Sequence, residues 1–172
     1  MKRGRVLIAA GGLAILAAAV TLGLAACSGG TAAASPGSSS ASVNPTWITP
    51  DISGTTVSVS EAVVKNDVNV HFQMPTSKGT TYFMAYEYNG KTYVRADLCV
   101  PCQSVSFTLY KGNLICDSCG TVFKATDGTG VSGACVRYPK ASVPYQTVDG
   151  KIVMTQSDLI TAFENTLQPG LP

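Results

Sequence analysis

"DLCVPCQSVSFTLYKGNLICDSCGTVF", residues 97–123, carries four cysteines as two C-x-x-C pairs, Cys99/Cys102 and Cys116/Cys119, with 13 residues between the pairs. Disulfides, a redox dithiol and a metal cage are the three chemistries that use such spacing. A disulfide across each C-x-x-C closes only a tiny loop, which removes little chain entropy from the unfolded state. A redox dithiol needs its first thiol at a helix N-terminus, where the dipole favours the thiolate. Here "CVPC" is followed by "QSVSFTLY", whose apolar period is two, so that helix is missing. The metal reading accounts for more of the stretch. Two C-x-x-C turns each aim two thiolates at one point, and a tetrahedral centre takes four. Gly120, directly after Cys119, suits the tight backbone of such a turn. The donors do not choose the metal, because zinc, a single iron and an iron–sulfur cluster all accept four thiolates.

The rest of the chain sets the compartment in which these thiols are expected. Lys2, Arg3 and Arg5 precede an uncharged Ala/Leu-rich run from Val6 to Ala26, the pattern of a secretory signal. The run ends in Leu24-Ala25-Ala26-Cys27, which resembles the lipobox of bacterial lipoproteins. The resemblance implies a signal peptide over 1–26, acylation of Cys27, and a lipid-anchored protein outside the cytoplasmic membrane. Residues 28–46 have no charge, no aromatic residue and one large apolar residue, Val43, so 27–46 is expected to be a flexible tether. One domain is expected over 47–172. With Cys27 set aside for lipid, five of the six cysteines remain, an odd number that a pure disulfide framework cannot use up.

Charge argues against one partner class. Twelve Lys/Arg face ten Asp/Glu, and without the three basic residues of the signal the ratio is nine to ten. No basic cluster is left in the domain, which argues against nucleic acid.

Period-two alternation makes the domain mainly β. "TTVSVS" alternates from Thr55, "DVNVHFQM" puts Val68, Val70 and Phe72 on one face, and "SVSFTLY" puts Val105, Phe107 and Leu109 on one face. "TYFMAYEY" and "KTYVRAD" flank Asn89-Gly90, a strong hairpin signal, and "GKIVMT" follows a turn at Asp149-Gly150. The one predicted helix is "SDLITAFENTL", capped by Ser157, with Leu159, Phe163 and Leu167 at helical spacing. His71 alternates opposite the apolar face and is expected to be a solvated strand residue. Met74 and Met84 read as core filler. Tyr82, Tyr86, Tyr88 and Tyr93 read as sheet-stabilising pairs or a partner surface. With a single His, hydrolytic catalysis has little support.

Residues Tyr93 to Pro139 are similar to the FtrD-like membrane iron–sulfur protein family, through "VRADLCVPC", "GNLICDSCGTVF", "GTGVSGAC" and Pro139. The flanks "YFMAYEYNGKTYVRA" and "VPYQTVDGKIVMTQSDL" fit as well. The resemblance implies an iron–sulfur cluster held by Cys99, Cys102, Cys116 and Cys119, with Cys135 open between an additional ligand, a shielding residue and a free buried thiol. It also implies electron transfer with a redox partner in the cell envelope, in some relatives alongside iron uptake. The second knuckle also resembles the second ligand loop of Rieske proteins, with Cys119 where a Rieske protein has His. The expected fold is therefore a small antiparallel β-sandwich or barrel, Rieske-like, with two Cys knuckles and a short C-terminal helix. The alternative is a zinc-ribbon-like module with structural zinc that mediates protein interaction.

Overall fold

A computed structural model describes residues 41–170. The signal segment and Cys27 lie outside the described residues. Twelve short strands form three four-stranded sheets. The central sheet runs β1 (Thr46–Ile48), β4 (Asn69–Thr76), β5 (Gly79–Tyr88), β6 (Lys91–Ala96). Its β1–β4 pair is parallel and its other pairs are antiparallel. A second, antiparallel sheet runs β11 (Gln146–Val148), β12 (Lys151–Thr155), β3 (Thr56–Ser60), β2 (Asp51–Ser53). The third, also antiparallel, runs β10 (Gly130–Ser132), β9 (Val122–Lys124), β8 (Asn113–Cys116), β7 (Phe107–Tyr110). Two helices, α1 (Glu61–Asp67) and α2 (Gln156–Thr166), complete it. Chain pairing begins ahead of Trp47, since Val43 bridges Leu109 and β1 starts at Thr46.

The central sheet is covered on both faces, and that fact organises the molecule. From β4 and β5, Val70, Phe72, Met74, Phe83 and Ala85 enter one core with Val57, Val59, Ile152, Met154 and Leu159 of the second sheet and α2. The opposite face of β5 supplies Met84 and Tyr86 to a second core, shared with Phe107, Leu109, Leu114, Phe123 and three cysteines. Alternation along β5 thus separates two interiors rather than core from solvent.

This corrects two expectations. His71 is fully buried, because the face opposite Val70 and Phe72 is also interior. Its Nδ1 lies 2.6 Å from Asp97 Oδ2, its Nε2 3.2 Å from Asn69 Oδ1, and Trp47 packs on its ring at 5.4 Å. Val68 does not share the face of Val70 and Phe72. It caps α1 at φ 66°, which turns its side chain into the second core. The helix α1 itself has too few turns to show a helical period against the strands around it. Ser60 caps it and Glu61 pairs with Lys65 at 2.7 Å.

At α2 the cap is Thr155, not Ser157. Thr155 Oγ1 accepts from the Asp158 N–H at 3.1 Å, so the helix starts one residue before the expected cap. Leu159 is buried and Phe163 half-buried, whereas Leu167 lies beyond the last helical residue and is 39% exposed. The expected hairpins at Asn89-Gly90 and Asp149-Gly150 are present, joining β5 to β6 and β11 to β12.

Arg95 ties the central sheet to the loops of the third. Its guanidinium donates to Tyr86 Oη (2.9 Å) and to the carbonyls of Thr126 (2.8 Å), Asp127 (3.1 Å) and Lys140 (2.8 Å). Tyr86 donates in turn to the Ala125 carbonyl at 2.6 Å, and burial pushes its phenol up to about 12. A lysine keeps the charge but not the planar fork. Arg95→Lys is expected to leave carbonyls unpaired and to cost about 1–3 kcal/mol, read as a lower urea midpoint.

Candidate metal centre

The spacing of the two C-x-x-C pairs has a simple structural origin. The residues between them form the hairpin β7–β8, closed by a two-residue turn at Lys111-Gly112 with φ 47° and 75°. Phe107 at the start of β7 pairs with Cys116 at the end of β8, so both knuckles emerge from the same end of the hairpin. A Cβ at Gly112 would also lie 2.4 Å from Tyr88 Oη, so any side chain there would have to displace that tyrosine.

The knuckles share one hydrogen-bonding pattern. In the first, Cys99 N–H donates to the Ser104 carbonyl (2.8 Å) and Gln103 N–H to the Cys99 carbonyl (2.7 Å). In the second, Cys116 N–H donates to the Thr121 carbonyl (2.9 Å) and Gly120 N–H to the Cys116 carbonyl (2.8 Å). Each turn needs positive φ after its second cysteine. Gly120 supplies it at 68°, and Gln103 adopts 59° against the usual preference of a side chain.

Together the turns bring the sulfurs of Cys99, Cys102, Cys116 and Cys119 within 4.8 Å of one another. The short contacts run between knuckles: Cys99 Sγ to Cys119 Sγ at 3.8 Å and Cys102 Sγ to Cys116 Sγ at 3.6 Å. No disulfide joins the five described cysteines. Cys99 and Cys116 are buried, Cys102 is half-buried and Cys119 is exposed. The fifth thiol, Cys135, is buried behind this group with its sulfur 3.7 Å from that of Cys119.

An all-sulfur donor set fits zinc, iron or an iron–sulfur cluster. A tetrahedron with metal–sulfur bonds of about 2.3 Å has edges of about 3.8 Å, which the contacts between knuckles match. A polynuclear cluster fits the same donors with the sulfurs on different irons set further apart.

Thr121, absent from the expected site, links the exposed and buried thiols. Its hydroxyl accepts from the Cys135 N–H at 3.2 Å and lies 3.2 Å from Cys119 Sγ, where it can donate to a thiolate. Gly133 permits this, since a Cβ there would lie 2.7 Å from both Thr121 Cα and Oγ1. Burial alone would push the Cys119 thiol up, but hydrogen bonds from the Thr121 hydroxyl and backbone, and from neighbouring thiols, bring it down to about 6. Burial drives the other two shifts: the Cys102 thiol goes up to about 11, and Cys99 is raised strongly as well.

Lys140 was also missed, and nothing around it in "YPKAS" marks it. It is fully buried, donates from Nζ to the Leu98 carbonyl at 2.5 Å, and lies over the rings of Phe123 (4.4 Å) and Phe107 (5.5 Å). Burial lowers its ammonium to about 8, against an upward pull from Cys99, Asp97, Cys116 and Cys135. His71 is no ligand candidate, since both ring nitrogens are taken up by Asp97 and Asn69. A groove of about 470 Å³ between Thr76–Thr81 and α2 contains no cysteine.

With this geometry in place, comparison with known proteins identifies the class. The model of the FtrD-like family, described as membrane iron–sulfur containing proteins, matches residues 64–165, and the chain belongs to that family. No curated protein matches the chain. Among solved structures, the chain is similar to the ferredoxin of carbazole 1,9a-dioxygenase from Nocardioides aromaticivorans IC177 (14% identity, TM-score 0.46). That match covers 63% of this chain and 98% of the ferredoxin. It is also similar to the plasma membrane Rieske protein PetC3 from Synechocystis PCC 6803 (18% identity, TM-score 0.41), over 56% of this chain and 93% of that protein.

The low Cys119 value has a direct consequence for the reduced, metal-free protein. Of the five described cysteines, Cys119 should react fastest with iodoacetamide, its rate rising as pH passes upward through about 6. Thr121→Val removes the hydroxyl donor and should move that inflection to higher pH. Peptide mass mapping across a pH series reads both, and equal labelling of Cys99 and Cys119 would contradict the assignment.

Proposed function

We propose that this protein is an electron-transfer lipoprotein of the cell envelope whose Cys99, Cys102, Cys116 and Cys119 thiolates hold an iron–sulfur centre. The observation that carries this reading is the convergence of four thiols from two matched knuckles, in a chain of an iron–sulfur family. When bound, such a centre supplies one-electron oxidation and reduction with the potential set by ligands, charge and solvent exposure. All-thiolate ligation carries more negative charge than His-containing ligation, so a potential below that of Rieske centres is expected.

The protein side of the work divides between the two faces of the site. Cys99 and Cys116 sit in the core with Phe107 and Phe123, which exclude water from the inner side. Cys119 reaches the surface and gives a redox partner a short path to the centre. The Thr121 hydroxyl stabilises negative charge on that exposed sulfur. Attachment through an acylated Cys27 places the domain on a tether at the outer face of the membrane, where a link to iron uptake is the process we favour. Among the described residues, no helix is long and apolar enough to cross a membrane.

A second reading has its own support. Four sulfurs within 4.8 Å suit a single ion, which makes a mononuclear iron site or a structural zinc module for protein interaction the competing assignment.

Protein purified without air separates the readings by metal content, visible absorption and electron paramagnetic resonance. The proposal expects iron with visible absorption that bleaches on reduction, and acid-labile sulfide in proportion to iron. Colourless protein containing zinc would refute it, and iron without sulfide would favour the single-ion form. On the same assay, Cys119→Ser is expected to lose or severely weaken the centre, whereas Cys135→Ser retains it with an altered potential or stability. The reverse pattern would make Cys135 the ligand. For attachment, Cys27→Ser is expected to abolish incorporation of radiolabelled palmitate and release the protein from membranes. Unchanged labelling would contradict acylation at Cys27.

A further inference from the structure

We propose that Lys140 is the buried counter-charge of the thiolate centre, a positioning residue that favours the loaded site and the reduced form of the metal. The inference rests on the four-thiolate reading of the site. Lys140 has no solvent contact, and the one hydrogen bond of its ammonium is to the Leu98 carbonyl, next to Cys99. An ammonium has three donors and is strongly hydrated, so one carbonyl and the faces of Phe107 and Phe123 are poor compensation for lost water. What remains around it is acidic: Cys99, Cys116 and Cys135 of the same core, and Asp97. Asp97 already has His71 at 2.6 Å on Oδ2, while its Oδ1 has no hydrogen-bond partner.

The backbone fixes this lysine in place. Arg95 holds its carbonyl, and its N–H donates to the Gly128 carbonyl at 2.9 Å. A Cβ at Gly128 would lie 2.2 Å from the Lys140 oxygen, so only glycine allows that approach.

The charge arithmetic gives the direction of the effect. Four thiolates around a divalent ion carry a net −2, and around a ferric ion −1. A fixed positive charge beside them therefore favours the loaded site over the empty one, and ferrous over ferric. Without the metal the four thiols cannot all ionise, so the same charge loses most of that partner and its burial is unfavourable. Replacing Lys140 by an apolar side chain should thus have opposite effects on the two forms.

The test compares wild type, Lys140→Met, Lys140→Arg and the exposed control Lys124→Met, all purified without air. If the protein carries iron, mediated spectroelectrochemistry of Lys140→Met should show the reduced fraction disfavoured at least tenfold, 59 mV for a one-electron couple. Lys140→Arg and Lys124→Met should stay near wild type. If the protein carries zinc instead, the electron-transfer reading fails. Lys140 is then judged by chelator competition, where Lys140→Met should hold zinc at least tenfold more weakly. In either case the metal-free Lys140→Met protein should unfold at an equal or higher urea concentration than metal-free wild type. An unchanged potential, or for zinc an unchanged affinity, overturns the proposal. So does a Lys140→Met protein that is destabilised or unfolded when metal-free, because Lys140 would then serve only Asp97 and the Leu98 carbonyl.

Discussion

Four thiols within 4.8 Å of one another cannot all ionise unless a cation lies among them. The rest of the structure is arranged around this constraint. The hairpin β7–β8 brings the knuckles to one end, matched turns aim the sulfurs, and positive φ at Gln103 and Gly120 closes those turns. None of this forms a disulfide, although the contacts between knuckles are close. A disulfide framework would use its cysteines in pairs. This chain leaves five thiols together, two of them pushed upward by burial and one drawn down at the surface.

The third sheet is too small to enclose such a site alone, and the central sheet supplies the missing wall. Met84 and Tyr86 of β5 pack against Phe107, Leu114 and Phe123, while Arg95 and Tyr86 bind the carbonyls of loop 125–127. Arg95 also holds the backbone of Lys140, so the residue fastening the two halves positions the charge beneath the cysteines. Stability of the fold and electrostatics of the site are therefore coupled through one guanidinium. The site is asymmetric, with Cys99 and Cys116 buried and Cys119 exposed.

Much of the site was legible in the sequence, because C-x-x-C spacing is local and its geometry follows from one hairpin. Most of the longer strands and the hairpins at Asn89-Gly90 and Asp149-Gly150 were legible for the same reason, whereas the three- and four-residue strands β1, β2 and β8 to β11 are too short to show a period. What escaped depends on long-range packing. His71 looks solvated when alternation is taken to separate core from water, yet β4 lies between two interiors. Val68 looks in phase with Val70 until its positive φ reverses it. Lys140 lies far along the chain from the knuckles, and its burial depends on Phe107, Phe123 and Leu98 meeting it in space. Thr121 was within reach, since it directly follows the Cys-Gly of the second knuckle. Only the approach of Gly133 and Cys135 shows what its hydroxyl does.

Membership of an iron–sulfur family and a convergent four-thiol site lead to one central claim, that Cys99, Cys102, Cys116 and Cys119 together hold an iron centre. X-ray absorption at the metal K-edge of protein purified without air tests it most directly. The account predicts an iron edge with sulfur as the nearest neighbour at about 2.3 Å and no nitrogen or oxygen ligand. An edge from zinc alone, or nitrogen or oxygen bound directly to the iron, would contradict it.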